Sequence, residues 1–242
     1  MNDDECRPTA EIIEEYLEAL YNLEQRERPV RPATLAQHLN LTLSAMTEVL
    51  ERMQSQGVIN RLPDQGIELT EAGRRLASKM VRRHRLAERL LVDILGLPWH
   101  RSHDEACRLE HALSAETEDA LARLLKGVET CPHGNPIPDA EGNIPEDDTS
   151  PLVDLKPQQS GYIVNIEDEN HEELHYLASL GLVPGAQVTV AERAPFSGPL
   201  LVCVGRARYA LGRSIASKIK VAREREPGHH HRHPAQRHPH HR

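Results

Sequence analysis

Residues 84–111 read HRLAERLLVDILGLPWHRSHDEACRLEH, and within them every residue type that binds a first-row transition metal recurs at helical spacing. On a helix of about 3.6 residues per turn, His84 and Glu88 are i,i+4 neighbours and point from one face. A second helix, beginning near Ser102, carries His103, Cys107, Glu110 and His111. These four spread over roughly 100° of its circumference, so one helix can supply two adjacent metal positions. Gly96-Leu97-Pro98 lies between the helices, and Pro98 cannot continue the first of them, so an antiparallel return is expected. A lone His or Glu on a helix ordinarily faces solvent, and a lone Cys is ordinarily a small core residue. Here six such residues fall within 28 positions, with Leu86, Leu90, Leu91 and Ile94 filling other positions, and the joint pattern points to metal. Mixed N, O and S donors suit Fe(II), Mn(II), Co(II), Ni(II) or Zn(II) and disfavour Mg or Ca.

A chain of 242 residues has room for two or three small domains. With 1 Phe and 1 Trp the cores must be aliphatic. The four cysteines, Cys6, Cys107, Cys131 and Cys203, lack the close spacing of a disulfide framework. No apolar run is long enough for a signal peptide or membrane span, so a cytoplasmic protein with reduced thiols is expected. The net charge of −8 excludes a wholly basic nucleic-acid binder, but the charge is unevenly placed. Residues 26–89 hold 12 Arg and Lys against 7 acids, while residues 1–25 hold 1 Arg against 8 acids. The first segment therefore has the local basic balance that phosphate binding needs.

Thr9 can begin a helix in which Ile13, Tyr16, Leu17 and Leu20 recur on one face, with Glu11, Glu14, Glu15 and Glu18 on the other. Pro32 starts a short helix, PATLAQHL. NLTLS then turns into a second helix with Met46, Val49, Leu50 and Met53 on its buried stripe. This is a helix-turn-helix pattern, and Thr42, Ser44, Thr47, Glu48 and Arg52 are the candidate DNA-contacting residues on its second helix. Two β-prone runs around Pro63-Asp-Gln-Gly66 read as a hairpin wing, which completes a winged helix. Thr70 caps a long helix through Ile94, with Arg74, Arg75, Lys79, Arg82 and Arg83 expected on its outer surface. Ser114 starts another amphipathic helix bearing Leu121, Leu124 and Leu125. Leftover apolar faces on these helices suggest a dimer. From Cys131 to Gly161, Pro, Gly, Asp and Glu predominate, as in a linker or long loop. YIVNI, QVTVAE, PLLVCVG and RARYALG then read as strands of a small β-barrel, with one helix from Glu172 to Leu180 ended by Gly181. The tail GHHHRHPAQRHPHHR, with seven His, reads as a disordered appendage.

HRLAERLLVDILGL followed by HDEACRLEH, with a winged helix before it and CPHGNPIP and a small β domain after it, resembles the diphtheria toxin repressor and iron-dependent regulator family. The resemblance covers the chain from Thr9 to about Ala222. It implies a mainly α fold with β: a winged helix-turn-helix (1–73), a helical metal-binding and dimerisation domain (74–140), a linker (141–160), an SH3-like β-barrel (161–223) and a disordered tail (224–242). It also implies a homodimer that represses transcription from a palindromic double-stranded operator, with Fe(II) or Mn(II) at two sites per chain. Neither a membrane nor a small-molecule substrate is expected as a partner. Carried over by residue, Glu15, Cys107, Glu110 and His111 match the primary, activating site, while His84, Glu88, His103 and, on the β domain, Glu173 match the ancillary one. Glu15 stands where the iron-responsive branch has Met, and with Glu18 it leans toward the manganese-responsive branch. Cys107 leans back toward iron, and Cys131 is a further candidate. The expected function is Fe(II)-dependent repression of iron-homeostasis genes. The alternatives are manganese-responsive repression of transport genes, or a metal-buffering or transport accessory protein. A metalloenzyme would need an open coordination position and a separate general base, and the sequence offers neither a distinct nucleophile nor a Gly-rich phosphate loop.

Overall fold

The computed structural model describes residues 9–63, 66–145, 148–167 and 170–223. The His-rich tail and its expected disorder lie outside these residues. The described chain divides into two units, one of residues 9–97, 102–131 and 136–145, the other of 98–101, 132–135 and 148–223.

In the first unit, capping chemistry sets the helix starts. Thr42, Thr70 and Ser114 each lie in extended backbone and accept a hydrogen bond from the N–H three residues on, at Ala45, Gly73 and Thr117. Helix α1 (Thr9–Glu24) buries Ile13, Tyr16, Leu17 and Leu20 against α2 (Pro32–His38) and α3 (Leu43–Ser55), whose Leu35, Met46, Leu50 and Met53 are buried with them. Strands β1 (Ile59–Arg61) and β2 (Ile67–Leu69) pair antiparallel, with Ile59 opposite Leu69. Val30 exchanges both backbone hydrogen bonds with Ile67 and adds a third strand position to the wing. Helix, turn, helix and hairpin form the expected winged arrangement around one aliphatic core.

Helix α4 (Glu71–Arg89) runs from the wing into a second cluster, where Leu86, Ala87 and Leu91 meet Ala106 of α5 (Ser102–Glu110) and Leu121 of α6 (Ala115–Leu124). Its last turn widens to a π-helical stretch, Leu90–Ile94, which ends at Gly96 with φ of 72°. The outward arginines are a correction to the sequence expectation, because most are held against protein. Arg82 and Arg83 both donate to Glu118, at 3.1 and 2.8 Å, and Arg74 donates to Glu24 at 2.5 Å. Arg75 and Lys79 remain exposed. Glu24, 8% exposed, also accepts from the Leu69 N–H at 2.7 Å, so one carboxylate links α1, β2 and α4. Hydrogen bonds to a charged group contribute about 1.5–3 kcal/mol, so Glu24→Gln is expected to cost about 1.5 kcal/mol in urea unfolding. An unchanged midpoint would remove this link from the account.

The second unit is a six-stranded antiparallel sheet in the order β3-β8-β4-β5-β6-β7. Its strands are β3 (Ser150–Pro151), β4 (Ser160–Ile166), β5 (Gln187–Arg193), β6 (Leu200–Val204), β7 (Ala207–Leu211) and β8 (Ile219–Ala222). Helices α7 (His171–Ser179) and α8 (Arg213–Lys218) accompany it. Alternating Val188/Val190, Leu200/Val202 and Ile219/Val221 point to one core with Leu174 and Leu177 of α7. Irregularities in register in β4 and β5 bend the sheet as an SH3-like fold needs. The four expected strands are present. The stretch read as connecting chain also contributes β3 and the buried side chains of Leu152 and Leu155.

Candidate metal centre

Within the first unit, three helices bring carboxylates, imidazoles and one thiol together. Helix α4 supplies His84 and Glu88 from one face, with His84 Nε2 3.4 Å from Glu88 Oε1. Helix α5 packs against α4 and supplies His103, Cys107 and Glu110, with His111 just past its end. Helix α1 packs on α4 from its own side and supplies Glu14 and Glu18. His84 is the hub: its Nδ1 lies 2.5 Å from Glu110 Oε2 and 3.8 Å from Glu18 Oε1, and its Nε2 lies 3.1 Å from His103 Nδ1. Cys107 Sγ lies 3.5 Å from His103 Nε2, and His111 sits between Glu110 Oε1 at 3.4 Å and Glu14 Oε2 at 2.8 Å.

Burial gives this cluster its chemistry. Glu88 is 2% exposed, Glu110 1% and His84 5%. A buried carboxylate costs several kcal/mol in lost hydration unless cations or donors compensate it. Burial itself, the largest influence on His84, disfavours its charged form. The carboxylates of Glu18 and Glu88, with the hydrogen bonds to Cys107 and Glu110, outweigh it and raise the imidazole pKa well above its ordinary value. Two donor sets lie wholly within this unit with their ligand atoms all within 4.8 Å of one another, His84–His103–Cys107 and Glu18–His84–Glu110. Buried carboxylates converging with neutral-capable imidazoles and a thiol fit a divalent transition cation, which would take the place of the proton on His84.

The structure brings together His84, His103, Cys107, Glu110 and His111, with Glu88 against His84 and Glu18 facing it. It adds Glu14, which the sequence reading left on the acidic face of α1. Glu14 and Glu18 are themselves an i,i+4 pair beside the apolar stripe, and that spacing was the available signal. Glu15 is half-buried on the same helix. Cys131 is buried, and its carbonyl accepts from Arg89 at 3.2 Å. Glu173 belongs to the second unit, on α7, where its carboxylate accepts from Lys218 Nζ at 2.6 Å.

The five candidate DNA contacts lie on the exposed face of α3. Thr42 caps the helix and its hydroxyl is 3.0 Å from that of Ser44, while Thr47 donates to the Leu43 carbonyl at 3.2 Å. Glu48 and Arg52 are exposed one and two turns further on.

Three family models cover nearly the whole described chain. Residues 9–67 match the N-terminal DNA binding domain of the iron dependent repressors, residues 70–139 their metal binding and dimerisation domain, and residues 150–223 the FeoA domain. The chain belongs to the iron-dependent repressor family. Members of this family are DNA-binding regulators, not enzymes. The chain is 36% identical over 223 residues to the iron-dependent repressor IdeR of Mycobacterium tuberculosis, covering 87% of this chain and 96% of that one. The diphtheria toxin repressor of Corynebacterium diphtheriae is 42% identical over 128 residues, 53% of this chain and 57% of that one. Among solved structures, a manganese-dependent transcriptional repressor in complex with manganese superposes with a TM-score of 0.81 at 31% identity, over 86% of this chain and 98% of that one. IdeR of T. acidophilum superposes with a TM-score of 0.75 at 30% identity, over 86% and 96%. Among the described residues no helix is long and apolar enough to cross a membrane.

Proposed function

We propose that this family member is a cytoplasmic, Fe(II)-activated homodimeric repressor that binds a palindromic operator, with two metal sites per chain. The observation that carries the proposal is the buried donor cluster, which joins α1 of the DNA-binding region to α4 and α5 of the metal-binding region. Cys107, Glu110 and His111 would serve the activating site together with an acidic residue of α1. Glu14 is supported there by its contact to His111, beside the Glu15 suggested by resemblance. His84, Glu88 and His103 would serve the second site, with Glu18 at the border of the two through His84. Glu173 as a further ligand rests on resemblance alone.

A bound divalent cation would supply positive charge where the buried carboxylates of Glu88 and Glu110 meet the half-buried ones of Glu14 and Glu18 on α1. The residues themselves determine the consequence. Glu14 and Glu18 move with α1, which shares its core with the recognition helix α3, whereas Glu110 and His111 move with α5. When both groups engage one centre, the angle between the winged helix and the dimerisation helices is fixed, and two copies of α3 are set about one DNA turn apart. Operator and metal then favour the same state, so each tightens binding of the other.

Thr42, Ser44, Thr47, Glu48 and Arg52 would face the major groove from the exposed side of α3. Affinity is expected to fall roughly 10³- to 10⁵-fold between about 50 and 200 mM salt if about six to ten phosphates are contacted. Gel-shift titration across that range checks it, and a flat response would exclude the groove-binding assignment.

Iron is favoured by the thiol of Cys107 and by the named iron dependence of the relatives that span the chain. Manganese is the second reading, favoured by the hard carboxylates of Glu14 and Glu18 and by the manganese-dependent structural neighbours. Anaerobic operator binding titrated with each metal separates the two. Glu14→Met is expected to weaken the Mn(II) response about tenfold or more relative to Fe(II), in keeping with the loss of one hard ligand. An equal loss for both metals would detach Glu14 from metal choice.

A further inference from the structure

The second unit contains a group of three histidines that shares no residue with the cluster above. His171 and His175 are i,i+4 on α7, so both imidazoles rise from one face, and their rings are nearly parallel with centroids 6.3 Å apart. His100, in the 3₁₀ turn Trp99–Arg101 of the same unit, lies between them, with centroids 5.1 Å from His171 and 4.7 Å from His175. Residues 171–175 read HEELH, the H-E-x-x-H spacing by which one helix presents two imidazoles to a single zinc ion.

We propose that His100, His171 and His175 form a third metal site, selective for Zn(II) and similar borderline cations over Mn(II). The spacing supports it quantitatively. Three imidazoles on one tetrahedral ion, at Zn–N of about 2.0–2.1 Å, have ring centroids about 5 Å apart. Two of the three observed separations already stand at that value, and the third closes with a rotation of exposed side chains on a helix. The all-imidazole set differs in kind from the mixed centre of the first unit. It favours Zn(II), Ni(II) or Cu(II) and binds Mn(II) poorly, following the divalent order. With three protein ligands, the fourth position is left to water or another donor.

The test is Zn(II) stoichiometry of the full chain by competition with a chromophoric chelator, with the histidines of residues 228–242 retained in every sample so that their contribution cancels. His171→Ala/His175→Ala is expected to bind one Zn(II) per chain fewer than the wild type, and His100→Ala likewise. Mn(II)-dependent operator binding should stay unchanged in both, which separates this site from the activating centre. In the wild type, Zn(II) should protect His171 and His175 from diethyl pyrocarbonate. Unchanged Zn(II) stoichiometry in both variants would overturn the site, and a loss confined to the double variant would overturn the role of His100.

Discussion

Replacing Glu110 with glutamine is expected to weaken metal-dependent operator binding at least about 100-fold at fixed free metal, while leaving the fold intact. Glu110 is 1% exposed and touches two imidazoles, with Oε2 at 2.5 Å from His84 and Oε1 at 3.4 Å from His111. The amide keeps the volume but removes the negative charge that balances a cation, and at one end it presents an N–H where an acceptor is needed. Even residues outside the direct ligand set change metal affinity about 10- to 100-fold when altered, so a direct ligand should exceed that range. In the metal-free protein the effect is smaller. There Glu110 is a buried carboxylate held against the His84 and His111 imidazoles, and its neutralisation should change thermal stability far less than it changes metal affinity. Isothermal titration with metal and a melting curve with chelator separate the two quantities. A variant that melts early but binds metal normally would make Glu110 a packing residue.

The second large effect is expected at Gly73, in the first turn of α4. A Cβ built there would stand 1.9 Å from the Val58 carbonyl oxygen, and that atom is backbone, with no side chain to swing aside. The same crossing is closed by Thr70, whose hydroxyl donates to the Gly57 carbonyl at 2.7 Å. Gly→Ala inside a helix ordinarily gains up to about 1 kcal/mol in propensity. Separating the hairpin from the helix costs about 1–3 kcal/mol or more, as overpacking does, and it acts on a carbonyl that already accepts from the Thr70 N–H. The steric cost wins, and Gly73→Ala is expected to lose about 2 kcal/mol net in denaturant unfolding. A neutral or stabilised variant would show that the wing does not approach α4 this closely.

The winged helix was legible because its signals are local: Pro32 at a helix start, capping Thr42 and Thr70, and apolar residues of helical period. The α4 and α5 part of the central cluster was legible because each of these helices carries several donors. Rotation of α1 was not. Adjacent residues differ by about 100° around a helix, so an acidic face containing Glu11, Glu14, Glu15 and Glu18 does not by itself say which carboxylate meets His111. In the packing of α1 on α4, Glu14 Oε2 comes to 2.8 Å from His111 Nδ1. The arginines of α4 were misread for a related reason. Their charge suggests solvent, but Glu118 of α6 and the carbonyl of Pro138 lie within reach and take Arg82 and Arg83. Strands β3 and β8 escaped notice because two and four residues are too short for an alternating pattern. They exist by pairing, β8 with both β3 and β4. Leu124, 62% exposed on α6 beside the buried Leu121 and Leu125, shows the reverse case. An apolar helical face was expected, and one of its members is left open within a region matched to a dimerisation domain.

The most direct test of the central claim is operator binding by the full chain under anaerobic conditions, in saturating Fe(II) and again with a strong chelator. The account predicts a specific shifted complex with Fe(II) that is lost with chelator and returns when metal is restored. Equal operator affinity in the two conditions would contradict it.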